Sequence, residues 1–206
     1  MASLKQFSVE GKAGKLEGVA HIPGGSPVAI AVVAHPLPTM GGTMDNKVVT
    51  TLAKTFTELG YATLRFNFRG VGTSEGMFDS GNGEVEDVLS VVQYAQEAFG
   101  HLPLILSGFS FGGYVAARAA QLLRPQPHRL VLVAPAVGRF EMPHVPHGTL
   151  VIHGEKDEVV SFSDVMEWAR NQHLPIVVLP EAEHFFHGRL NQLRDIVRQH
   201  FNGYAA

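Results

Sequence analysis

The chain has 206 residues, 45% of them hydrophobic and 17% charged, which suits a buried globular core and excludes a disordered chain. Sixteen Lys and Arg against 19 Asp and Glu give a net charge of −3, scattered without a basic run, so no broad attraction to nucleic acid or anionic membrane is expected. There is no cysteine, which excludes disulfides, thiolate catalysis and cysteine-ligated metals.

The length predicts one domain over 1–206. The opening MASLKQFSVEGKAGKLEG lacks the apolar stretch of a signal peptide, and no run approaches the ~18 residues of a membrane span, so a soluble, cytoplasmic protein is expected. QFSVEG (6–11) and KLEGVAHIP (15–23) read as strands paired across a Gly-Lys-Ala-Gly turn, and VAIAVVAH (28–35) as a strand buried on both faces. A helix is predicted over 44–60, with Val48, Leu52, Phe56 and Leu59 on one face and Gly60 ending it. Strand 61–68, helix 84–100, strand 102–109 and helix 111–123 follow. Strands at 129–135 and 149–154, a helix at 163–172, a strand at 175–180 and a last helix at 188–201 complete the chain. Such alternation implies a mostly parallel sheet of about eight strands covered by helices on both faces, with ligands bound beyond the carboxyl ends of the strands.

Two stretches match Gly-x-Ser-x-Gly: GTSEG at 72–76 and GFSFG at 108–112. Ser110 directly follows a predicted strand and precedes a predicted helix. Gly108 and Gly112 remove side chains where that turn is tight, and the helix aims its free N–H groups at a developing anion. The competing reading is a glycine-rich turn with a bystander serine; the strand, turn and helix in succession favour a nucleophile. Ser74 has no such context, because RGVG separates it from its strand and MFDSGNGE follows as loop. It is expected to be a loop residue on the active-site side of the sheet, bonding its own backbone.

A serine hydroxyl needs a base, itself oriented by a third group. Asp157, three residues past Gly154, is the expected orienting carboxylate, with Glu155 and Glu158 as rivals. After the strand at 175–180 comes EAEHFFHG. His184 lies in that loop, whereas His187 is expected to start the last helix, where the dipole opposes its protonation, so His184 is the better base. HFFH has no carboxylate to complete a metal site and is not HExxH, so no metal is expected. His153 reads as a satisfied core histidine, and HVPH (144–147) as a proline-rich loop. An oxyanion hole requires two donors. The Phe111 N–H is one; the other is assigned to Leu37 in HPLPTMGG, because Pro36 and Pro38 carry no N–H. An ordinary proline-rich turn is the alternative.

With these residues in place the chain resembles an α/β-hydrolase: GFSFGG, HGEKD and EHFF stand in that superfamily's order. More narrowly, HPLPTMGGTMDNKVV, FNFRGVGTSEG and EHFFHGRL resemble small bacterial predicted hydrolases related to dienelactone hydrolases. The resemblance implies the α/β-hydrolase fold, a Ser110–Asp157–His184 triad, Leu37 and Phe111 as oxyanion donors, and ester hydrolysis without a cofactor. Dienelactone hydrolases proper use a cysteine nucleophile, which this chain lacks. Pro135 to Gly148 leaves 14 residues where related enzymes often carry a lid, too few for a helical cap. An open site walled by Met40, Phe111, Phe140, Met142 and Phe185 is expected, taking short to medium acyl esters. The partner expected is thus a small-molecule ester. A thioesterase or peptidase with the same triad, and a non-catalytic binding protein on this fold, are the alternatives.

Overall fold

The computed structural model describes residues 2–202. Eight strands form one sheet in the order β1-β2-β4-β3-β5-β6-β7-β8. They are β1 (Ser3–Gly11), β2 (Gly14–Ile22), β3 (Ala29–Ala34), β4 (Tyr61–Phe66), β5 (Leu104–Phe109), β6 (Arg129–Val133), β7 (Leu150–Gly154) and β8 (Ile176–Leu179). β2 runs antiparallel to both β1 and β4, and the other pairings are parallel.

Five helices cover the sheet: α1 (Lys47–Glu58), α2 (Asn82–Phe99), α3 (Phe111–Leu122), α4 (Phe162–Arg170) and α5 (Leu190–Asn202). α1 and α5 pack on one face, α2, α3 and α4 on the other. This layering explains the unbroken apolar strands. Along β3, Ile30, Val32 and Ala34 enter the α2–α3–α4 core, while Ala29, Ala31 and Val33 enter the α1–α5 core. Leu104 and Leu106 against Ile105 and Phe109 divide β5 in the same way.

α1 begins three residues later than the periodicity predicts. Asn46 accepts the Val48 N–H at 2.9 Å and caps the helix there. Met44 is withheld from it, because its N–H donates to Asn67 Oδ1 (2.8 Å) and its carbonyl accepts from Arg65 Nη1 (3.0 Å). The other elements match their predicted positions within two or three residues at each end. Among the described residues no helix is long and apolar enough to cross a membrane.

The strand order turns back on itself around β3, which pairs with β4 on one side and β5 on the other. Ala34 and Gly108 are register partners, so the loop after β3 and the turn after β5 leave the sheet together. A parallel sheet binds ligands at such a point.

Candidate active site

Ser110 occupies the turn between β5 and α3 with φ 55° and ψ −118°, a left-handed conformation costing an L-residue about 1–3 kcal/mol. The surrounding backbone holds it there. Its N–H donates to Val133 O (2.9 Å), and its carbonyl accepts from Gly113 (2.9 Å) and Ala136 (3.2 Å). The two motif glycines are required by close approach. A Cβ on Gly108 would collide with the Gly112 carbonyl, and one on Gly112 with the carbonyls of Ala34 and His35.

A second crossing joins the other two loops. Gly154 ends β7 beside Leu179 of β8, and the Glu155 and Lys156 N–H groups donate to Leu179 O (3.0 Å) and Ala182 O (2.9 Å). A Cβ on Gly154 would strike the Ala182 carbonyl. This contact lays the loop of Asp157 against the loop of His184.

The result is a continuous buried hydrogen-bond chain. His184 Nδ1 lies 2.7 Å from Asp157 Oδ2, and His184 Nε2 lies 3.1 Å from Ser110 Oγ. The carboxylate accepts the Nδ1–H hydrogen bond and keeps the proton on Nδ1, so Nε2 is left to accept from the hydroxyl. Asp157 Oδ1 accepts from the N–H groups of Val159 (2.9 Å) and Val160 (2.7 Å). Burial acts to raise the Asp157 pKa, but the hydrogen bond and charge of His184 and the two backbone donors outweigh it and hold the carboxyl below its usual value. Asp157 is therefore ionised at neutral pH. Phe109 and Phe185 pack on the His184 ring, with centroids 4.9 and 5.1 Å away.

The rival residues lie apart from this chain. Glu155 is exposed and accepts the Glu181 N–H at 3.0 Å, and Glu158 is exposed. His187 does not start a helix: α5 begins at Leu190, and His187 is an exposed turn residue paired with Glu183. The helix-dipole argument against it thus does not apply; its ring is paired with Glu183, whereas the ring bonded to Ser110 Oγ is that of His184. His153 is only half satisfied. Its Nε2–H donates to Val160 O (3.1 Å), while its buried Nδ1 has no hydrogen-bond partner among the described residues.

Ser74 is buried, and its side chain bonds other segments rather than its own turn. Its Oγ donates to Asn67 O (2.7 Å) and accepts the Glu17 N–H (3.0 Å), pinning the 69–76 loop between β2 and β4. Buried Arg69 anchors the loop as well, its guanidinium paired with Asp87 on α2.

The Ser110 hydroxyl opens into a cavity of ≈ 270 Å³. Leu37 and Phe111 both line it, and neither N–H donates to an acceptor among the described residues. Met40, Phe140 and Phe185 also line it, but Met142 does not. Met142 is half-buried against the α2–α3–α4 core, as is Phe140, which stacks on Tyr114 (centroids 4.7 Å apart). Three residues that sequence reasoning missed matter here. Arg139 and Asn46 line the cavity, and His35 braces the loop that carries Leu37. Arg139 lies inside the short 135–148 segment, the one available signal for it.

A family model described as serine aminopeptidase, S33, matches residues 26–145. A lidless α/β serine hydrolase from Xanthomonas campestris is 37% identical, with a TM-score of 0.92 over 98% of this chain and 95% of that one. An α/β serine hydrolase homologue from Coxiella burnetii is 40% identical, with a TM-score of 0.85 over 95% of this chain and 96% of that one. An uncharacterized protein of Rickettsia prowazekii is 32% identical over 198 residues, 89% of this chain and 82% of its own length.

Proposed function

Because this chain belongs to the serine aminopeptidase S33 family of α/β serine hydrolases, we propose that it is a carboxylesterase-like enzyme cleaving small acyl esters through an acyl-enzyme. The observation that carries the reading is His184, hydrogen-bonded at once to Ser110 Oγ and Asp157 at the floor of the cavity.

Ser110 Oγ attacks the ester carbonyl carbon as His184 Nε2 takes the hydroxyl proton. The carbonyl oxygen, now an anion, accepts from the N–H groups of Leu37 and Phe111, and the positive end of α3 adds to its stabilisation. Asp157 holds the His184 ring in orientation and stabilises the imidazolium. Collapse of the tetrahedral intermediate breaks the bond to the alcohol oxygen, which leaves with the proton from His184. Water then attacks the acyl carbon, giving a proton to Nε2. That proton returns to Ser110 Oγ as the carboxylic acid departs.

An ester fits the cavity better than the N-terminus of a peptide. Recognition of an α-ammonium calls for a carboxylate, and the one fixed charge among the described lining residues is the guanidinium of Arg139. The 14 residues from Pro135 to Gly148 hold no helix, which leaves the cavity mouth without a cap. The test is labelling with a fluorophosphonate, followed by mass spectrometry of the adduct. Modification at Ser110, lost in Ser110→Ala together with p-nitrophenyl butyrate turnover, is expected. A folded protein that takes no label at Ser110 would sink the proposal.

A further inference from the structure

The cavity is apolar on most sides, yet it holds an unanswered positive charge. Arg139 lines it and is exposed to solvent, and its side chain has no hydrogen-bond or ion-pair partner among the described residues. No carboxylate belongs to the described lining. Asp164 on α4 stands close enough to Gly138 that an added Cβ there would meet its Oδ2, yet it forms no ion pair with Arg139.

The turn that carries Arg139 is built rather than loose. Val137 and Phe140 form an isolated bridge, Gly138 takes φ +79°, and the Arg139 N–H donates to Ala136 O at 3.3 Å. Phe140 fixes the turn from inside, stacked on Tyr114 and tilted against Phe111 with centroids 5.1 Å apart. Phe111 is the residue after Ser110, so the backbone at Arg139 is held in fixed relation to the hydroxyl, and its long side chain is free to reach a ligand at the rim. Elsewhere in the lining, Asn46 caps α1 through Oδ1, leaving its Nδ2 hydrogens without an acceptor among the described residues. The cavity thus offers hydrogen-bond donors and a planar cation, with apolar walls between them.

We infer, on the basis of the esterase reading above, that the preferred substrates are esters carrying a carboxylate away from the scissile bond, and that Arg139 is the specificity residue that binds it. A guanidinium at such a rim recognises a carboxylate by paired N–H donors, which a neutral isostere cannot match. Solvent at the rim keeps the gain modest, a preference of roughly 2- to 5-fold.

The test uses pairs of esters that differ only in charge. Monoethyl adipate and its carboxamide analogue place the charge on the acyl side, and 4-(butanoyloxy)benzoate and its carboxamide place it on the alcohol side. In at least one pair the wild-type enzyme should favour the anionic ester in kcat/KM by that factor, less so in about 0.5 M salt. Arg139→Gln should bring the ratio toward unity by raising KM for the anionic ester, and Arg139→Glu should invert it. Reading a ratio within each variant removes any general loss of activity. Equal rates within both pairs in the wild type, or a preference surviving in Arg139→Gln, overturn the inference. The same samples are treated with fluorophosphonate: label at Ser110 with flat ratios removes this inference alone, whereas absence of label removes the esterase reading along with it.

Discussion

His35 and Phe68 tie the loop after β3 to the end of β4. His35 Nε2 accepts the Phe68 N–H at 3.0 Å, and Nδ1 donates to Pro36 O at 2.7 Å. Both bonds need the neutral ring with its proton on Nδ1. The residue has no access to solvent, and burial lowers its pKa to about 4 despite the opposing pull of the Pro36 carbonyl. The loop it braces carries Leu37, so a structural histidine stands directly behind a proposed oxyanion donor.

This histidine makes stability depend on mildly acidic pH. In the unfolded chain it takes a proton near pH 6.5, whereas the folded protein keeps it neutral down to about pH 4. The unfolded state therefore binds more protons across that window, and stability falls as pH is lowered through it, by at most about 1.4 kcal/mol per pH unit for His35. His21, also lowered to about 4 by burial and the charge of Arg65, acts in the same direction. Asp157, with its depressed pKa, loses its contribution only below the usual carboxylate range and does not offset the slope. Urea unfolding at about pH 7, 5.5 and 4.5 should show declining stability, and His35→Gln should start less stable but decline less steeply. An unchanged slope in the variant would remove His35 as a source of the effect.

The second prediction separates Asp157 from the nearby surface charges. In Asp157→Asn, the amide nitrogen facing His184 would donate to Nδ1 and leave the proton on Nε2, where it cannot accept from Ser110. Turnover of p-nitrophenyl butyrate is expected to fall about 10³- to 10⁴-fold, with the fold intact by circular dichroism. His187→Ala should change kcat/KM by less than about twofold, since that side chain is exposed and, among the described residues, hydrogen-bonded to Glu183 rather than to Ser110. A large loss in His187→Ala with a mild one in Asp157→Asn would reverse the assignment.

Much of this was legible because it is local. The run VAIAVVAH announces a strand buried on both faces, and two glycines around Ser110 between a strand and a helix announce a turn that permits no Cβ. The crossing at Gly154 is equally strict, but its partner is the Ala182 carbonyl, 28 residues further on, and no spacing rule pairs the two. The bracing by His35 likewise depends on β3 and β4 lying side by side. Met142 is a case of the same kind: an apolar residue in a short segment suits a pocket wall or a core, and only the tertiary packing, which sets it against the α2–α3–α4 core, decides between them.

Ser74 provides the last prediction, because it shares the Gly-x-Ser-x-Gly pattern and none of the chemistry proposed for Ser110. Its hydroxyl is consumed by Asn67 O and the Glu17 N–H, and no histidine is bonded to it. Removing it strands one acceptor and one donor in a buried position, which costs about 1–3 kcal/mol. Ser74→Ala should therefore unfold at lower urea while keeping kcat/KM for p-nitrophenyl butyrate within a few-fold of wild type. Ser110→Ala should do the opposite, losing at least ~10³-fold in kcat with little loss of stability. Relief of the strained φ at residue 110 is not expected, since alanine meets the same Cβ penalty as serine. If Ser74→Ala instead lost activity on the scale of Ser110→Ala at unchanged stability, the loop serine would have a chemical role that its hydrogen bonds do not account for.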